Sequence, residues 1–105
     1  MNNKIIIFFN GLRGILCLEE ILSNDHNVSA VVTPENFFNS DFLHLTEKFK
    51  FKHFKKNNVN EQNFINELKK FNSDIFLIIG FAEIFNKELF NLPRLGTFNF
   101  HAGKL

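Results

Sequence analysis

Apolar residues recur along this chain in two alternating rhythms. Lys4 to Phe9 holds an unbroken apolar run, Ile5-Ile6-Ile7-Phe8-Phe9, which stops at Asn10-Gly11. A strand apolar on both faces belongs in a parallel sheet covered by helices on each side. Gly11 to Ser23 then takes up helical spacing. Ile15, Leu18 and Leu22 share one stripe, Leu16 and Cys17 broaden it, and Glu19 and Glu20 mark the wetter side. Asn24-Asp25 is a stop signal. Val28 to Val32 is a second strand of the buried type, ended by Thr33-Pro34 because proline offers no ladder donor.

The same alternation continues. Pro34 to Ser40 is a loop, and Asp41 is expected to cap a helix through Lys50 with Phe42, Leu45 and Phe49 on its inner face. Phe51 to Phe54 is a short third strand set among lysines. Asn60 is expected to cap the next helix, whose inner face carries Phe64, Leu68 and Phe71, and Asn72-Ser73 closes it. Asp74 to Gly80 contains the strand signal Ile75-Phe76-Leu77-Ile78-Ile79. Phe81 to Phe90 is a turn and a short helix, ending before Leu92-Pro93, and Gly96 to Phe100 is the last strand.

Five strands alternating with four helices predict an α/β fold. Right-handed crossovers make it a doubly wound, Rossmann-like, mostly parallel five-stranded sheet with helices on both faces, and the expected strand order is 3-2-1-4-5. The sheet reverses direction between strands one and four. Their carboxyl ends, near Asn10-Gly11 and Gly80-Phe81, therefore flank the expected ligand crevice, with the end of strand five beside them.

Composition narrows the function classes. The chain has 105 residues, one domain's worth, and 45% hydrophobic against 22% charged residues is a globular balance. Lys plus Arg number 12 and Asp plus Glu 11, so a strongly basic DNA-binding module is disfavoured. A single Cys excludes an intrachain disulfide framework, and no apolar run approaches the ~20 residues of a membrane span. The expected setting is cytoplasmic. Phe occurs 16 times while Trp and Tyr are absent, so rings fill the core without hydroxyl or indole groups to satisfy.

Candidate chemistry gathers at the carboxyl edge. The turn Asn10-Gly11-Leu12-Arg13-Gly14 sits where a phosphate-binding turn would, but lacks the three-glycine dinucleotide spacing. It is either a plain strand-to-helix turn or a place where Asn10, Gly11 and Arg13 meet a substrate's polar edge. Asn99 and His101 share one face of the last strand by its period of two. An Asn can donate to a developing oxyanion and a His can move a proton near neutral pH. The plainer alternative is that both serve only local hydrogen bonds. Lys104 could meet an anion or simply be solvated, and Glu83 lies near the crevice. His26, His44 and His53 suggest no metal constellation, and Cys17 reads as a small core residue.

At these residues the chain resembles the N-terminal catalytic domain of the formyltransferases that use 10-formyltetrahydrofolate. The resemblance runs over nearly the whole chain but is specific mainly in Leu92 to Leu105, which contains Asn99-Phe100-His101 of an Asn-x-His signature. It implies transfer of a formyl group from the folate co-substrate to a primary amine, without a metal. Asn99 would stabilise the tetrahedral oxyanion and His101 would assist proton transfer. Gly80, Phe81, Ala82 and Glu83 would line the pterin side. His101-Ala102-Gly103-Lys104-Leu105 looks closer to sugar N-formyltransferases, which makes a nucleotide-linked amino sugar the expected acceptor and methionyl-tRNA the alternative. The resemblance also allows a homodimer of the full-length enzyme.

The family carries a third catalytic residue, an Asp, beyond the Asn-x-His segment, and no residue here matches it. Residues 1–105 are therefore expected to be a partial catalytic domain, a truncated frame without useful turnover alone. The competing expectation is a noncatalytic folate- or nucleotide-binding domain that keeps the fold.

Overall fold

A computed structural model describes residues 3–100. The order is β1 (Lys4–Phe9), α1 (Leu12–Ser23), β2 (Asn27–Thr33), α2 (Ser40–Lys48), β3 (Lys52–Lys55), α3 (Gln62–Lys69), β4 (Ile75–Ile79), α4 (Lys87–Phe90) and β5 (Gly96–Phe100). The five strands pair in the expected order β3-β2-β1-β4-β5, and every pairing is parallel.

The apolar run of β1 is explained by its central place. Ile5, Ile7 and Phe9 enter one core with Ile15, Leu18 and Leu22 of α1 and Phe42 and Leu45 of α2. Ile6 and Phe8 enter the other with Phe64, Ile65 and Leu68 of α3 and Leu89 of α4. A fully buried side chain of this size contributes roughly 1.5–3 kcal/mol relative to exposure, so a polar residue has no place between Ile5 and Phe9, and Lys4 is kept at the exposed start of the strand. In β2 the register slips between Ile5 and Ile6, which pair with Val28 and Ala30 and pass over Ser29. This bulge lets Val28 and Ala30, two apart, enter opposite cores.

Several local expectations need correction. Asn39 caps α2, not Asp41: its side chain accepts the Phe42 N–H at 3.0 Å, and the helix ends at Lys48. β3 lies one residue later than expected. Glu61 takes the N-cap position of α3 without a side-chain cap bond, and Asn60 is committed elsewhere. Cys17 and Leu16 are exposed, because α1 lies over β1 and turns those positions away from it.

Two contacts fix the sheet's ends. At the amino end, the Asp74 carboxylate accepts the Lys4 N–H at 2.8 Å and Arg94 Nε–H at 2.9 Å, tying β1, β4 and the approach to β5. These bonds, the Lys4 amide first, hold its carboxyl below the usual carboxylate range. At the other end, Thr33 Oγ1 and His53 Nε2 lie 2.8 Å apart, with the Phe42 ring edge-on to the imidazole.

Gly14 is buried on α1, and a Cβ there would collide with the ring of fully buried Phe9. Gly14→Ala is expected to destabilise the chain by about 1–3 kcal/mol, whereas Leu16→Ala stays within about 0.5 kcal/mol. Urea unfolding of both variants checks this.

His53 supplies a pH prediction. Burial first, and Lys55 second, lower its pKa below the ordinary 6.5. The unfolded chain therefore binds the proton more readily than the folded one. Stability is full above pH 6.5 and falls as the pH drops from there through the folded-state pKa. Urea midpoints across that range should decline on acidification, and His53→Phe should remove this component of the decline.

Candidate functional site

The site follows from the reversal at the middle of the sheet. β1 feeds α1 and the crossover to β2, while β4 lies on β1's other side, so the loops leaving the two strands diverge. Their first residues still touch. The Asn10 N–H donates to the Ile79 carbonyl at 3.4 Å. Gly80 has φ +62, and a Cβ on it would lie 3.1 Å from the Asn10 carbonyl oxygen, so both backbone conformation and space favour glycine.

Beyond this junction, a cavity of about 250 Å³ opens beside β4 and β5. Its floor is Ile78, which pairs in register with Asn99. Phe81, Ala82, Glu83 and Phe85 of the loop after β4, and Phe90 of α4, complete most of the wall. Phe81 and Phe85 rest edge-on against the buried Phe8 ring, with centroids 5.8 and 4.7 Å away. Thr97, on the same face of β5 as Asn99, donates its hydroxyl to the Phe90 carbonyl at 2.7 Å. A mostly apolar pocket therefore presents one side-chain amide at its strand edge. Among the described residues, the N–H groups of Ala82, Glu83 and Ile84 have no protein acceptor. Such a wall suits a flat, partly polar ring.

The structure thus brings four expected site residues, Phe81, Ala82, Glu83 and Asn99, to one cavity, with Gly80 forming the turn at its base. Asn10, Gly11 and Arg13 gather at the end of β1 and do not line that cavity. Gly11, with φ +96, holds the N-cap position of α1, and a Cβ there would meet open space. His101 and Lys104 lie outside the described residues.

Two partners were not legible beforehand. The Glu83 carboxylate accepts the N–H of buried Val59 at 2.9 Å, so it is committed to holding the loop. Asn60 donates to the Ile84 carbonyl at 2.8 Å and accepts the Asn86 N–H at 2.7 Å. Nothing in residue spacing joins positions so far apart. Two larger hollows, of about 400 Å³ between α1 and α2 and about 450 Å³ beside Ser73 and Arg94, do not reach Asn99. Among the described residues no group of three His, Cys, Asp or Glu side chains could hold a metal ion, and no helix is long and apolar enough to cross a membrane.

No protein-family model matches the chain. Individual proteins do. The methionyl-tRNA formyltransferase of Chlamydia caviae is 29% identical over 115 residues, an alignment covering 100% of this chain and 35% of that protein. The methionyl-tRNA formyltransferase of Prochlorococcus marinus is 32% identical over 97 residues, covering 84% of this chain and 29% of that protein. The protein of the same name from Agathobacter rectalis is 42% identical over 41 residues. The chain belongs to the formyltransferase family, in its N-terminal region. It spans about a third of the length of the curated relatives it matches along its full extent.

Within this formyltransferase region the Glu83 carboxylate reads as scaffold. Glu83→Ala is expected to destabilise by about 1–3 kcal/mol, the cost of leaving the buried Val59 N–H unsatisfied. Glu83→Gln keeps an acceptor oxygen and should recover most of that loss. Urea unfolding of both variants checks the pair.

Proposed function

We propose that this chain supplies the donor-binding and oxyanion-stabilising part of a catalytic domain that moves a formyl group from 10-formyltetrahydrofolate to a primary amine. The observation that carries the reading is Asn99 lining the same cavity as the loop 81–85, at the carboxyl edge of a formyltransferase-family fold. The acceptor we propose is the amino group of methionyl-tRNA, after the relatives' shared name. A nucleotide-linked amino sugar, the acceptor first expected from the chain's last five residues, finds no support among these relatives.

In the proposed reaction the neutral amine attacks the formyl carbon. A carbon–nitrogen bond forms to the acceptor, the bond to N10 of the folate breaks, and the acceptor nitrogen's proton is passed on to N10. Negative charge develops on the formyl oxygen in between. The Asn99 amide is the group assigned to that oxygen, since it donates without titrating. His101 is assigned the proton. The loop amides at 82–84 are assigned to the polar edge of the pterin, and the rings of Phe81 and Phe85 to its flat surface. Asn10, Gly11 and Arg13, outside the cavity but next to it through the Asn10–Gly80 contact, are assigned to the acceptor side.

The 105-residue chain is expected to bind 10-formyltetrahydrofolate saturably. Asn99→Ala should weaken that binding while sparing tetrahydrofolate without the formyl group. In the polypeptide at its natural length, the same substitution should slow transfer to methionyl-tRNA by roughly 10²-fold. Calorimetric titration and a formyl-transfer assay read these outcomes. Failure of the unsubstituted chain to bind the donor would refute the reading, and transfer to amino sugars in place of methionyl-tRNA would reassign the acceptor.

A further inference from the structure

The loop between β4 and α4 forms much of the candidate pocket, yet residues 81–86 belong to neither a helix nor a strand. A segment of this kind keeps one shape only where outside groups hold it. At its base Gly80 packs against Asn10, and along its inner side Phe81 and Phe85 rest on Phe8. At its far end the polar hold comes from Asn60. One planar side-chain amide spans the Ile84 carbonyl, at 2.8 Å, and the Asn86 N–H, at 2.7 Å. Two bonds from one rigid group to backbone positions two residues apart fix the peptide units between them. They thereby set Phe85 inward against Phe8.

The order passes onward. With its backbone held, Asn86 caps α4, its side chain accepting the Leu89 N–H at 2.9 Å. Leu89 is fully buried, Phe90 lines the cavity, and the Phe90 carbonyl receives the Thr97 hydroxyl two residues before Asn99. Asn60 itself does not line the cavity. Nor does it cap α3, where Glu61 holds the N-cap position and its carbonyl receives the Phe64 and Ile65 amides. Its side chain is therefore spent on the loop rather than on its own helix.

We propose that Asn60 is a positioning residue for the donor pocket, setting the loop 84–86 so that its backbone and Phe85 meet the folate ring already ordered. The inference rests on the donor reading above. Without the clasp, the folate must order the loop as it binds, and affinity falls accordingly.

The test uses the 105-residue chain, with 10-formyltetrahydrofolate affinity from titration calorimetry and amide hydrogen exchange by NMR. Asn60→Ala should weaken donor binding roughly tenfold and release the Asn86 amide to exchange, leaving β4 amides protected. Asn60→Asp keeps an acceptor for the Asn86 N–H and should fall between Asn60→Ala and the unsubstituted chain in both readouts. Leu45→Ala, in the opposite core under α2, separates positioning from general loosening: it should lower stability and leave donor affinity unchanged. Donor binding indifferent to Asn60→Ala, or Asn86 protection that survives it, would overturn this inference alone. If the unsubstituted chain does not bind the donor, the functional reading falls and the inference with it.

Discussion

The pairing of β1 with β4 governs the rest of the molecule. Ile5 to Phe9 lie in register beside Ile75 to Ile79, and side chains from both strands enter both cores. Only side chains without polar groups can fill that space at such density. The pair is also where the sheet changes winding direction, so the loops above it part. Close packing below and divergence above are two consequences of one arrangement. The junction of Asn10 with Gly80 marks the boundary, where backbone still touches backbone before the cavity opens.

Much of this could be read from residues in order. The unbroken run at Ile5 to Phe9 specified a two-faced burial that fits a central parallel strand, and the alternation of elements left few topologies. Strand period alone set Asn99 opposite Phe100 on β5, while the face it lies on, beside Ile78 and Phe90, comes from the packed structure. Errors came where a longer-range partner decided. Asn60 looks like a cap because an Asn stands before a helix, but its amide is taken by backbone 24 and 26 residues away. Cys17 looks internal on a helical wheel. The wheel does not say how wide the covered stripe is, and α1 covers β1 while leaving Cys17 beside partly open Leu77 and Phe100. In β2 the slip at Ser29 breaks the period of two, which no local pattern around Val28 announces.

The phenylalanines show how composition and site connect. Phe8 is wholly buried, yet it touches Phe76 below and Phe81 and Phe85 above, with centroid distances from 4.7 to 5.8 Å. One core ring is thus also the support for two pocket rings. Edge-to-face contacts of this kind fix ring orientation as well as burying area. The pocket wall is therefore continuous with the sheet's interior, and a loss of packing at Phe8 reaches Phe81 and Phe85 directly.

The carboxyl edge is built unequally on its two sides, and the inequality suits a group transfer. The loop after β4 is held by ring contacts, by Glu83 on Val59 and by the Asn60 clasp. The turn after β1 keeps open space at Gly11, where α1 begins without a side-chain cap. On the proposed reading, a donor bound against the first side would meet a surface whose ordering cost is already met by protein contacts, and an acceptor approaching the second would meet open space at Gly11. In transfer between two bound molecules, rate depends on holding the reacting carbon in a fixed relation to the group that stabilises its oxygen. On that reading rigidity would be worth most beside the loop 81–86, and its polar ties to Val59 and Asn60 are concentrated there.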